Sequence, residues 1–271
     1  MPGFRVLTIV GLLMLPWLAF AGPLPLRLCA SNQGDYPWVL TDRPGLNQLL
    51  IERAAARSGV AVEFHFMRWG HCLLRLSDGR MDGAFNSSFI SERQAFARFP
   101  LRDGKPDGER RLMRSGYHLF QRKAGTAQWD GSLLVVAGPV GVPSGSFAIT
   151  RRLRELGLTQ VDQRRYQPAA ILAALKNQEL EAAVLKSEEG MRLLRDDREL
   201  GAALEMLPLP IAQKDFFLIL SLPFMAVRGA DGERLWEAIA RERESAAWQR
   251  LQEEFLRDAA SPSPAAPLVT P

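Results

Sequence analysis

Histidine and cysteine are scarce in this chain, with three of the former and two of the latter among 271 residues. His65, His71 and His118 stand apart without a partner at helix or turn spacing, and no H-E-x-x-H occurs, so no metal centre is expected. No cluster of five or more Lys/Arg exists. The formal net charge of +4 is spread over 34 basic and 30 acidic residues, which argues against a nucleic-acid partner. A nucleophile elbow is missing, since Ser144 stands in Val142-Pro143-Ser144-Gly145 with the wrong glycine spacing. A P-loop and a G-x-G-x-x-G are missing as well, because Gly138, Gly141 and Gly145 are spaced three and four apart. Hydrolysis, phosphoryl transfer and hydride transfer thus lack their parts, and no cofactor is expected. Long apolar runs are also missing after the N-terminus. The greasiest later stretch, 216–227, holds about a dozen residues where a membrane span needs roughly 20.

What is there begins with a leader. Arg5, the uncharged apolar run from Val6 to Phe20, and the small-x-small Ala19-Phe20-Ala21 before Gly22 form the grammar of a cleaved signal peptide over residues 1–21. That reading places the mature chain in the periplasm. In an oxidising compartment Cys29 and Cys72 are expected to pair, with two buried free thiols as the competing reading. The remaining composition, 47% hydrophobic and 24% charged, is that of an ordinary globular chain. Residues 259–271 are rich in Ala, Pro and Ser without charge and are expected to be disordered.

Periodicity supplies the elements. Alternation over 24–29 predicts a strand that breaks at Ser31-Asn32-Gln33-Gly34-Asp35. Leu46, Leu49, Leu50 and Ala54 recur at helical spacing before Gly59, and strands over 60–66 and 81–85 bracket a short helix over 71–76. This βαβαβ order predicts a parallel, doubly wound sheet whose loops at the strand C-terminal ends form a crevice. A second series follows, with a strand at 117–121, an apolar stretch at 133–142 and a helix at 147–156 opened by Ser144-Gly145-Ser146. It continues with a strand at 161–164, a helix at 169–175 and a strand at 182–185. Segments 206–210 and 216–220 carry the chain to one long amphipathic helix over 233–255. Two lobes are therefore expected.

Four features fall in loops that such sheets point into one crevice. They are Asp35-Tyr36-Pro37-Trp38 after the first strand, Asn86-Ser87-Ser88 after the third, Arg93 five residues on, and Ser144-Gly145-Ser146 in the second lobe. Hydroxyls and helix N-terminal amides donate to an anion, a guanidinium clamps a carboxylate, and aromatic rings cover the apolar part of a ligand. Together they describe a carboxylate site. Each also has a plainer reading: a solvated helix residue for Arg93, core for Tyr36 and Trp38, an N-cap for the Ser-Gly-Ser.

These pieces, in this order, resemble the periplasmic solute-binding protein family 3, the bilobed type II receptors of polar amino-acid import systems. The resemblance runs through Leu26-Arg27-Leu28 with Tyr36-Pro37-Trp38, Gly45, Trp69, Gly79-Arg80-Met81-Asp82-Gly83, and Ser88 with Glu92-Arg93. It continues through Trp129-Asp130-Gly131, Gly141-Val142 with Gly145-Ser146, and Glu181-Ala182-Ala183-Val184, covering nearly the whole mature chain. Arg68-Trp69-Gly70-His71-Cys72-Leu73, with Cys29, is further similar to a subgroup carrying paired cysteines.

The resemblance implies a two-lobed α/β fold, each lobe a doubly wound mixed sheet flanked by helices. Lobe 1 would comprise 22–110 and 214–258, and lobe 2 would comprise 111–213. Arg93 would bind the ligand carboxylate, Ser88 and Ser146 would add hydrogen bonds, and Tyr36 or Trp38 would stack on the ligand. Lys186 departs from the pattern, standing where amino-acid receptors place an acidic residue for the ligand ammonium. A lysine there repels an ammonium and favours an organic anion, unless Glu188 or Glu189 takes the acidic role. The expected function is capture of a small carboxylate-bearing solute by a monomer. Its partners would be an importer's membrane subunits or a sensor. The rival readings are an enzyme on the same scaffold, dehydratase-like, and a non-transport sensor module.

Overall fold

The computed structural model describes residues 24–165 and 167–258. The leader read over 1–21 and the tail read over 259–271 lie outside the described residues.

The chain opens with β1 (Leu26–Ser31), α1 (Leu46–Ser58), β2 (Val62–Met67), α2 (Trp69–Ser77) and β3 (Gly83–Ser88). β1 pairs in parallel with β2, Leu26 opposite Val62, and with β3, Leu28 opposite Gly83. Leu26, Leu28 and Ala30 alternate onto one face of this sheet, where α1 packs through Leu46, Leu50, Ile51 and Ala54. Cys29 points to the other face and is bonded to Cys72 of α2, with a Cα–Cα distance of 5.7 Å. α1 starts after Gly45, where a Cβ would lie 2.6 Å from the Trp38 carbonyl oxygen, closer than any side chain tolerates. It stops at Gly59, whose φ of 68° is the left-handed turn that ends helices.

Short strands β4 (Ala97–Arg98), β5 (Leu101–Arg102) and β6 (Lys105–Pro106) lead to the ten-residue β7 (Met113–Arg122). The second series then runs β8 (Gln128–Trp129), β9 (Leu134–Val135), β10 (Val140–Gly141), α3 (Phe147–Glu155), β11 (Val161–Asp162), α4 (Pro168–Lys176) and β12 (Ala182–Lys186). Here β10 lies parallel to both β11 and β12. Ala182 and Val184 of β12 face one core cluster, and Ala183 and Leu185 face the other. A strand covered on both sides reads as a continuous apolar run, as Ala182 to Leu185 does. After α5 (Ser187–Asp196) and α6 (Arg198–Ala203), the 18-residue β13 (Leu204–Ser221) returns to the first lobe, followed by α7 (Leu222–Arg243) and α8 (Ala246–Asp258).

The strand order is β11-β10-β12-β7-β13-β3-β1-β2, with β4 paired to β13. The two lobes therefore meet at β7 and β13, which run antiparallel from Leu204 opposite Arg122 to Phe216 opposite Met113. Past that point β13 adds to the first lobe's sheet, with Phe216 opposite Ser88.

Several elements differ in extent from their sequence expectation, the segments 206–210 and 216–220 being one strand, and two of the differences have a specific cause. The strand expected over 81–85 continues to Ser88, because β13 offers partners to Ser87 and Ser88 that lie far away in sequence. The single helix expected over 233–255 is two helices. Ser245 breaks it, its Oγ accepting the Trp248 N–H at 3.1 Å as an N-cap. The first of the two also begins earlier, where Ser221 Oγ accepts the Phe224 N–H at 3.2 Å.

Candidate functional site

A cleft of about 710 Å³ is lined from the first lobe by the segment after β1 and by Asn86, and from the second by Ser144 to Ser146, Lys186 and Glu189. Its first-lobe wall is built by backbone bonding. Asp35 N–H donates to Val39 O at 2.7 Å and Val39 N–H returns the bond to Asp35 O at 2.9 Å, pinning the loop. Asn86, in β3, adopts φ 62°, a left-handed conformation that asparagine tolerates better than most residues. Its Nδ2 donates to Asp35 Oδ2 at 2.8 Å, and its Oδ1 accepts from Asn47 Nδ2 of α1 at 3.3 Å. The Asp35 carboxylate is thus fixed by residues of its own lobe.

Lys186, the last residue of β12, meets it from the opposite lobe. Lys186 Nζ lies 2.5 Å from Asp35 Oδ2, with side-chain exposures of 18% and 13%, and 5.1 Å from the centre of the Phe216 ring. Burial works against the Lys186 ammonium, but the negative charge of Asp35, with Tyr117 and Glu188, outweighs it and raises the pKa. Lys186 is therefore a charged group at neutral pH. Glu189 titrates above its usual range, first because it is buried and then because Asp35 repels its charge. Burial also raises the Tyr117 phenol, against the pull of Lys186.

The expected site residues divide into two groups. Tyr36, Ser146 and Lys186 line the cleft, whereas Trp38, Ser88 and Arg93 lie outside its lining. The Tyr36 ring carries the Arg192 guanidinium of α5 at 5.1 Å, and its hydroxyl is buried without a hydrogen-bond partner among the described residues. Trp38 is 8% exposed within the core cluster of the first lobe, its indole N–H likewise unpartnered. Ser146 lines the cleft immediately before α3, whose Phe147 N–H already donates to Gly145 O at 2.9 Å and whose Ile149 N–H donates to Ser146 O at 3.1 Å. Arg93 Nη1 donates to Ser87 Oγ at 3.0 Å and to the Ser88 carbonyl at 2.9 Å, and its guanidinium lies 5.4 Å over the Trp69 ring. Burial lowers the Arg93 pKa. Of the two serines, it is the Ser87 hydroxyl that Arg93 holds; Ser88 offers its backbone.

Sequence reasoning gave no role to Asp35 or Asn86. The available signal was a lone acid and an amide in two loops expected to converge, with nothing local to say that they would touch. Among the described residues no cluster of three His, Cys, Asp or Glu can hold a metal ion.

No family model matches the chain, and no curated protein matches it in sequence. Solved structures do match in shape. A histidine kinase sensor domain with similarity to periplasmic binding proteins is 18% identical, covering 86% of this chain and 96% of its own, with a TM-score of 0.62. The glutamate-bound ligand-binding core of GluR0 from Nostoc punctiforme is 17% identical, covering 85% and 99%, with a TM-score of 0.60. The amino-acid ABC transporter substrate-binding protein AbpA from Streptococcus pneumoniae, bound to L-arginine, is 16% identical, covering 88% and 96%, with a TM-score of 0.60. The fold is that of the two-lobed periplasmic binding proteins. In that fold the cleft described above lies between the lobes, and among the described residues no helix is long and apolar enough to cross a membrane.

Proposed function

We propose that the chain captures a small carboxylate-bearing solute, amino-acid-like or an organic acid, between its lobes and presents the closed form to an importer or a sensor. The observation that carries this reading is the meeting of Lys186 and Asp35, opposite charges from opposite lobes, inside one cleft. A solute carboxylate takes Lys186, with the Ser146 hydroxyl as a further donor. Asp35 then remains for a cationic group on the solute, and Tyr36 covers its apolar part. Arg93 and Ser88 serve as a more distant contact on the first-lobe side, with Trp38 as packing behind the Tyr36 loop.

The lobes are proposed as 22–110 with 214–258, and 111–213, in an exported monomer. Binding rather than catalysis fits the ligand-binding proteins that share the fold. Both an import protein and a kinase sensor domain are among them, so import and sensing are both kept as outlets. Gentle isolation of the protein followed by mass spectrometry of what copurifies tests the reading. A carboxylate-bearing small molecule is expected. When added back at a hundredfold its Kd it stabilises the fold by about 2.7 kcal/mol, read as a thermal shift. Turnover of that molecule would instead favour the enzyme reading.

A further inference from the structure

Lys186 reaches out of its own lobe. It closes β12, a strand of the second lobe's sheet, yet its ammonium rests against Asp35 and the Phe216 ring, and Phe216 belongs to the core cluster that contains β1 and α1. The receiving carboxylate is already in position, held by the Asn86 amide and by the Asp35–Val39 backbone pair. A second contact of the same kind lies beside it, the Arg192 guanidinium of α5 over the Tyr36 ring.

We propose that the Lys186–Asp35 pair is a latch that closes the cleft before any solute arrives, so that solute binding exchanges partners across a closed cleft. This rests on the reading of the cleft as the solute site and concerns how that site is regulated. The groups facing Lys186 are Asp35 of the loop after β1, Tyr117 of β7, Glu188 and Glu189 of α5, and Phe216 and the like-charged Lys214 of β13. Glu188 is already bonded to Ser115 Oγ at 3.2 Å and Ser187 Oγ at 3.0 Å, which leaves Asp35 as the direct ionic partner.

Three physical points favour closure without solute. The pair is largely shielded from water, so salt screens it far less than an exposed pair. The ammonium gains the Phe216 face as well as the carboxylate. Asp35 is ordered by its own lobe through Asn86 and the Val39 backbone pair, so closure adds little ordering cost on that side. The free-energy gap between open and closed lobes then favours the closed form at rest, and a solute acts by differential affinity on a population already closed.

Small-angle scattering of solute-free protein, refolded from denaturant by dialysis, tests the latch. The wild type is expected at the compact radius of gyration of about 18 Å for a chain of this length. Lys186→Met and Asp35→Asn are each expected to shift to a larger radius while keeping the wild-type circular dichroism spectrum. Should one substitution fail to fold, the other carries the comparison. A wild type as expanded as the variants, or variants as compact as the wild type, overturns the proposal. No solute enters the experiment, so its failure leaves solute capture standing, and a failed search for solutes leaves the scattering result standing.

Discussion

Glu242 has no side-chain exposure and faces Arg53 Nε at 2.5 Å and Arg57 Nε at 2.9 Å, pinning α7 to α1. The arginines are 37% and 56% exposed and retain access to water, whereas the glutamate does not. That asymmetry sets the outcome of mutation. Removing both arginines strands a buried carboxylate, and Arg53→Ala with Arg57→Ala is expected to cost about 3 to 5 kcal/mol in urea unfolding. Glu242→Met leaves only solvated cations and is expected to cost far less; equal losses from the two changes would contradict the argument. Asp162 gives the pH counterpart. Hydrogen bonds from the Arg164 guanidinium hold its carboxyl at a pKa of about 2 in the folded chain, against the cost of its partial burial. The folded value is below the unfolded one, so this contribution is complete above the ordinary carboxylate range and is lost as pH falls through about 2. The gap in urea midpoint between wild type and Asp162→Asn is expected to be constant near neutrality and to close between pH 4 and 2. A gap independent of pH would show that the ion pair does not contribute.

The disulfide acts at the scale of elements, tying β1 to α2 across a sequence separation of 43 residues. On the loop-entropy account it stabilises the fold by about 4 kcal/mol, a loss to be read from urea unfolding of reduced against oxidised protein. Two titratable thiols in the unreduced, unfolded protein would contradict the bond. Most elements were legible in the sequence because their periodicity is local: α1 between Gly45 and Gly59, and the apolar run of β12, announce themselves within a dozen residues. The C-terminal end of β3 and the break between α7 and α8 did not. Ser87 and Ser88 are strand residues only because β13 lies beside them, and Ser245 is one serine within a stretch whose amphipathic period continues across it. Long-range pairing and a single capping hydroxyl leave little trace in a periodic pattern.

At the scale of the whole molecule the same limit governs the site. Tyr36 and Ser146 drew attention because they sit after a strand end and before a helix start, where such folds open their crevice, whereas Lys186 stood out only through the resemblance, at a position where receptors place an acid. Asp35 as the partner of Lys186 was not legible, since the two are 151 residues apart and come together only when β7 and β13 set one lobe against the other. Asn86 was read only as part of a run after the third strand: its hold on Asp35 goes with a left-handed backbone conformation inside a strand, which the sequence around it does not signal. Everything proposed for the cleft turns on a solute carboxylate being held there by Lys186. Isothermal titration of the protein against a panel of amino acids and organic acids, repeated on Lys186→Asp, tests it most directly. A carboxylate-bearing solute is expected to bind the wild type, and Lys186→Asp to weaken that binding by about 30-fold or more, the cost of losing a buried charge partner. Tight binding of a solute that Lys186→Asp leaves unchanged would contradict it.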